Sequence, residues 1–218
     1  MAVVIACSGF PVPVSTYWGE FGGVEINDTE RALPGAGTVR RWLRESPEGY
    51  VFTVLAPAEI GASGFRRTNE NKAHLETIGG FARKLSARAV VFQAPEDLEP
   101  SKAAKTALRS FRNLLSPSFP TAVFDLPSWD PRAVAEAVAD TDATAAYDPL
   151  QHDAPTDEGL LYARLPGPAG YRSRYDEAAL DQVASHLAGV RDREVFCVLR
   201  NIDRHPNGLY LRDALAAD

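Results

Sequence analysis

Residues 75–94, Leu-Glu-Thr-Ile-Gly-Gly-Phe-Ala-Arg-Lys-Leu-Ser-Ala-Arg-Ala-Val-Val-Phe-Gln-Ala, change period partway along. Leu75, Ile78, Ala82 and Leu85 share one helical face, and a strand-like run, Ala89 to Ala94, apolar except for Gln93, follows. An amphipathic helix feeding a short apolar strand is the repeating unit of an α/β fold. The same alternation extends in both directions. Short apolar runs recur at Val3–Cys7, Gly23–Asn27, Tyr50–Ala56, Thr121–Asp125, Thr144–Asp148, Leu160–Leu165 and Val195–Arg200. Helical faces recur at Ala104, Leu108, Phe111 and Leu115, and at Leu180, Val183, Leu187 and Val190. Asp130 before Pro131 and Asp176 before Glu177 have the form of N-caps.

Eight such strands joined mainly by helices predict a TIM-type (β/α) barrel; an open doubly wound sheet usually has fewer strands. The barrel is expected to be irregular at two crossovers. About fifteen residues separate the first two strands, and 149–158 after the sixth reads as a loop rather than a helix. At 218 residues with 45% hydrophobic composition, residues 1–218 are read as one domain.

A net charge of −6 argues against bulk binding of nucleic acid or anionic membrane. No apolar run approaches the roughly 20 residues of a membrane span, and the first residues lead straight into a strand-like segment, so a cytoplasmic location is expected. Cys7 and Cys197 lie inside apolar runs and read as buried hydrophobes.

In a barrel, chemistry sits where the strands end, at the C-terminal face. Period-two alternation places Glu25 and Asn27 on one face of their strand, and two polar groups beneath helices would be costly, so both are assigned to the interior. Gln93, Asp125, Arg164 and Arg200 follow the same reasoning. Glu25 and Asp125 are the candidate catalytic bases, and Asn27, Gln93, Arg164 and Arg200 are candidate ligand contacts. A purely structural alternative has Glu25 or Asp125 pairing with Arg164 or Arg200 in a buried network. Arg31, Arg66, Arg67, Arg172, Arg174 and Arg204, with Tyr17, Trp18, Tyr171 and Tyr175, are expected on the surrounding loops, giving a basic mouth suited to an anion, with Tyr175 as a further ligand contact.

No metal site is expected. His74 and His186 fall within helices and read as surface residues, while His152 and His205, near Asp148, Asp153 and Asp203, make a weak ligand set. No Walker loop, dinucleotide fingerprint or nucleophile elbow occurs, and no histidine is placed by sequence to activate Cys7 or Ser8.

Several segments resemble the YecE-like family, catalogued as domain of unknown function 72. They are Val24-Glu25-Ile26-Asn27-Asp28-Thr29 with Leu33-Pro34, Thr38-Val39-Arg40-Arg41-Trp42, Pro47-Glu48-Gly49-Tyr50, Ala56-Pro57, Val91-Phe92-Gln93-Ala94-Pro95, Pro127-Ser128-Trp129 and Tyr162-Ala163-Arg164-Leu165. Ser8-Gly9-Phe10, Asn201 and Asp213-Ala214-Leu215 are similar to its opening and closing segments. The resemblance implies a TIM-type barrel, carries no established reaction and adds Asn201 to the ligand contacts. Glu25, Asn27, Gln93, Arg164 and Asn201 fit the family pattern. Leu55, Val123, Asp125, Pro166 and Arg200 stand where the family has other polar residues. The resemblance also implies a shortened first crossover.

Two functions follow. One is action on, or binding of, a phosphorylated small molecule or nucleotide at the mouth, with no cofactor named; a nucleic-acid ligand has no support from net charge. The other is a non-catalytic ligand- or protein-binding barrel that has lost family chemistry.

Overall fold

The computed structural model describes residues 3–139, 143–155 and 159–217. Among them eight parallel strands close in sequential order into a barrel. These are β1 (Val3–Ser8), β2 (Gly23–Ile26), β3 (Val51–Leu55), β4 (Ala89–Gln93), β5 (Thr121–Asp125), β6 (Ala143–Tyr147), β7 (Leu161–Leu165) and β8 (Val195–Leu199). Helices α1 (Val14–Glu20), α2 (Ala36–Glu45), α3 (Ala58–Ala62), α4 (Asn69–Lys84), α5 (Lys102–Arg112), α6 (Pro131–Val138), α7 (Glu177–Gly189) and α8 (Arg204–Ala217) surround it.

The helix that opened the sequence reading is α4. Leu75, Ile78, Ala82 and Leu85 are all buried against the sheet, and Thr68 caps the helix by accepting from the Asn71 N–H at 3.1 Å. Asp130 and Asp176 cap α6 and α7 in the same way. Leu115 lies beyond the end of α5 but still packs on the core.

Period two divides the strand residues between two cores. Outward residues such as Ile5, Cys7, Val24, Phe92 and Phe124 pack under the helices, while Ala6, Leu55, Val91, Val123, Tyr162, Phe196 and Val198 fill the barrel. Cys7 and Cys197 are fully buried, and burial pushes the Cys7 thiol up to about 12.

The first crossover is as short as expected, but its contents differ. It carries a helix, α1, and Tyr17 and Trp18 are buried in it rather than standing at the mouth. The Tyr17 hydroxyl accepts from the Cys7 N–H at 2.7 Å and donates to the Gly23 carbonyl at 3.1 Å, tying α1 to β1 and β2. Seven residues are too few for helical periodicity to show clearly in sequence. Between β6 and β7 the described residues form turns without a helix, as expected; 156–158 of that predicted loop, and the first two and last residues of the chain, lie outside the described residues.

Candidate functional site

Six strands deliver polar side chains to the barrel interior, and alternation puts them on its inward face. Ser8, Glu25 and Thr53 follow one another across β1, β2 and β3 in register, as do Gln93 and Asp125 across β4 and β5. Tyr162 and Arg164, two residues apart on β7, face them.

Glu25 is fully buried and held from several sides. Tyr162 donates to Oε2 at 3.0 Å, and Arg164 donates to Oε1 at 2.9 Å. Because the Tyr162 hydroxyl is committed to Glu25, the Thr53 hydroxyl donates to it, 2.8 Å away. Burial acts to raise the Glu25 pKa, yet Arg164, Arg200 and hydrogen bonds from Ser8 and Arg164 outweigh it and hold the carboxyl below its ordinary value. Glu25 is therefore an ionised anchor and a poor proton acceptor at neutral pH.

Arg164, 3% exposed, bridges Glu25 to Asp125 with one nitrogen on each. Burial opposes its charge, but Glu25 and Asp125 hold its pKa above the ordinary value. Arg200 reaches the same Asp125 oxygen from 4.0 Å. Its pKa is lowered, first by the Arg164 guanidinium and then by burial. The Nε–H groups of both arginines are buried without a hydrogen-bond partner.

Above this network opens a cleft of about 480 Å³. Gln93, Asp125, Arg164 and Arg200 lie in its lining, with Asp148, Gln151 and His152 from the turn after β6. Tyr171 supplies exposed aromatic surface while Trp129 and Tyr147 in the lining are buried, and Pro95, Pro127, Pro131, Pro166 and Pro168 stiffen the rim. Gly61 of α3 permits the approach that places Gln93: a Cβ there would lie 1.9 Å from the Gln93 carbonyl oxygen.

Asp148 is the group whose place in this cleft the sequence left least defined. Its pKa is raised, chiefly by burial, although the Leu150 N–H at 2.9 Å and Gln151 at 3.1 Å donate to its carboxylate. Because no helix follows β6 among the described residues, the turn folds Asp148 and His152 over the cleft.

Other expected site residues lie apart from the cleft. Asn27 is half-buried beyond the end of β2, against Gly9. Tyr175 is buried, and its hydroxyl accepts from the Gly167 N–H at 2.7 Å, which braces the loop after β7. Asn201 is fully buried, donates to the Ser173 carbonyl at 3.4 Å and keeps its Oδ1 without a partner. Arg174 pairs with Asp203, and Arg204 reaches the Tyr171 hydroxyl at 3.5 Å. The mouth is not basic as expected: Glu96, Asp125 and Asp148 line the cleft beside Arg164 and Arg200. His205 lies in the first turn of α8, 2.7 Å from Glu20 of α1 and away from the cleft. His74 and His186 are half-buried rather than on the surface, and His186 packs against Tyr147. Among the described residues no cluster of three or more His, Cys, Asp or Glu is gathered to hold a metal, and no helix is long and apolar enough to cross a membrane.

The barrel is similar to solved structures along almost its whole length. A DUF72 family protein from Enterococcus faecalis V583 superposes with a TM-score of 0.78 at 14% identity, covering 99% of this chain and 96% of that one. One from Thermotoga maritima MSB8 gives 0.73 at 18% identity, covering 99% and 100%. An AP endonuclease, family 2, from Brucella melitensis gives 0.60 at 14% identity, covering 96% and 97%, a likeness of fold. No functionally curated protein matches the chain. The family model described as protein of unknown function DUF72 matches residues 13–217, and the chain belongs to that family.

Proposed function

We propose that the mouth cleft binds a small phosphorylated molecule, of nucleotide size or below, and that Arg200 receives its anionic group. The observation that carries this reading is the state of Arg200. It is 24% exposed on the cleft, its nearest carboxylate is shared with Arg164, its Nε–H has no partner, and a second guanidinium depresses its pKa. A ligand oxyanion beside the exposed part of Arg200 would relieve the repulsion between the two arginines. Glu96 and Asp148 on the same cleft disfavour an extended polyanion and favour a compact ligand with one charged end. Tyr171, 56% exposed, offers a face for a sugar or base.

Binding without turnover is supported better than catalysis by Glu25. Both Glu25 oxygens are occupied, so the residue orients Arg164 and does not touch a ligand. If turnover occurs, Asp125, which borders the cleft, or Asp148, whose raised pKa suits proton transfer, takes the base role that Glu25 cannot. The test is calorimetry and thermal-shift measurement with inorganic phosphate, sugar phosphates and nucleoside monophosphates, followed by product analysis. Binding should be saturable and lost in Arg200→Met with the fold intact. The reading is sunk if no member of the panel binds, or if binding is indifferent to Arg200.

A further inference from the structure

A second concavity lies on the flank of the barrel, between α2 and α4 and separate from the mouth. Leu33, Val39 and Leu43 form one wall, Gly80 and Phe81 the other, and the volume is about 660 Å³. Among the described residues four large hydrophobics are exposed. Leu33 (40%) and Leu43 (44%) are in this groove, and Tyr171 and Ile202 are near the mouth.

Gly80 gives the groove its floor. Its neighbour Gly79 is explained by packing, since a Cβ there would meet the Phe119 ring at 2.8 Å. A Cβ on Gly80 would meet nothing within 4 Å. A glycine inside a helix weakens it relative to alanine, and nothing in this chain accounts for that choice at Gly80. Close approach by another backbone would account for it.

The charges at the edge indicate what approaches. Arg40 and Lys84 flank the apolar floor, and Glu76 is the one carboxylate in the lining. Arg41 and Arg44 both reach Glu45, at 3.8 and 2.9 Å, whereas Arg40 and Lys84 have no carboxylate partner among the described residues. This basic edge stands on a chain of net charge −6. A second copy docking symmetrically here would bring Arg40 and Lys84 of both copies together, which repels.

We propose that the groove docks an amphipathic helix of a partner protein, with an apolar stripe seated between Leu33, Leu43 and Phe81, acidic residues reaching Arg40 and Lys84, and backbone passing over Gly80. Three labelled synthetic helices with one leucine stripe, flanked by Glu, Gln or Lys, test it by fluorescence anisotropy on the full chain. The Glu helix should bind most tightly and the Lys helix least. Leu43→Asp should weaken the Glu helix by at least about tenfold, and Leu33→Asp repeats the test if the first variant fails to fold. Arg40→Glu combined with Lys84→Glu should invert the order. Gly80→Ala should raise the melting temperature of the free chain, while Gly80→Leu should fill the floor and abolish docking. The proposal is overturned if the helices bind equally or not at all, or if Leu43→Asp leaves binding unchanged. It is equally overturned if sedimentation shows a dimer of this chain that Leu43→Asp dissociates.

Discussion

The two ends of the barrel each carry an arginine–carboxylate system, and they are built in opposite ways. At the N-terminal end, Arg88 before β4 reaches across to Glu194 before β8 with two parallel bonds of 2.7 Å each, and its third arm meets Thr121 at 2.5 Å. Nε and both Nη nitrogens of Arg88 are engaged, and the pair is partly open to water. At the C-terminal end, Arg164 and Arg200 share one carboxylate, Asp125, and the Nε of each is left without a partner. The lower pair closes the barrel with every guanidinium nitrogen engaged. The upper set keeps donor capacity in reserve, as expected of a place where something binds.

Substitutions that treat the two ends alike should expose the contrast. Arg164→Met leaves Glu25 buried without its cation and Asp125 without its nearer one, and should cost about 3–5 kcal/mol in urea unfolding. The acid limb reports the same network. Because the folded pKa of Glu25 is depressed, its contribution is complete above the ordinary value of 4.5 and is lost as pH falls toward the folded value. Glu25→Gln should flatten that part of the stability–pH profile.

Arg200→Met should abolish phosphate-ligand binding while leaving stability nearly unchanged or slightly higher, since removing it relieves repulsion on Arg164. A loss as large as that of Arg164→Met would erase the distinction between anchor and receiver. At the opposite end, Arg88→Met should cost roughly 1 kcal/mol or less, because the pair is over a third exposed, and should leave the cleft's affinity untouched. The smallest effect is expected of Asp148→Asn. A carboxyl whose folded pKa is raised makes stability fall as pH climbs from its unfolded value of 3.8 through the folded one, and the variant should remove that slope.

The strands were legible from sequence almost to the residue, because apolar runs between helical faces report burial directly. Alternation also found Glu25, Asp125, Arg164 and Arg200 in one network, including the possibility that they pair. Tyr162 and Thr53 escaped notice although the same period exposes them: Tyr162 stands two residues before Arg164 and Thr53 opposite Glu25 in register. A tyrosine or threonine in an apolar strand passes for core, and only the partner reveals the polar role. Tyr17 and Trp18 were misplaced because α1 is barely two turns long. The basic mouth was misjudged for another reason. Sequence position does not say which loop side chains border the cleft, and Asp148 and Glu96 are among those that do.

The missing helix after β6 has a consequence for how the barrel comes apart. Among the described residues β6 meets β7 through Ala146 with Tyr162 and Tyr147 with Ala163, while β7 meets β8 from Leu161 to Leu165. That short ladder is the expected seam of partial unfolding, and amide hydrogens there should exchange with solvent earlier than those of β1 and β8. Tyr162 lies on that seam, so the first excursion from the native state loosens the hydroxyl that holds Glu25. The anchoring of Arg164 would then be lost before the fold itself.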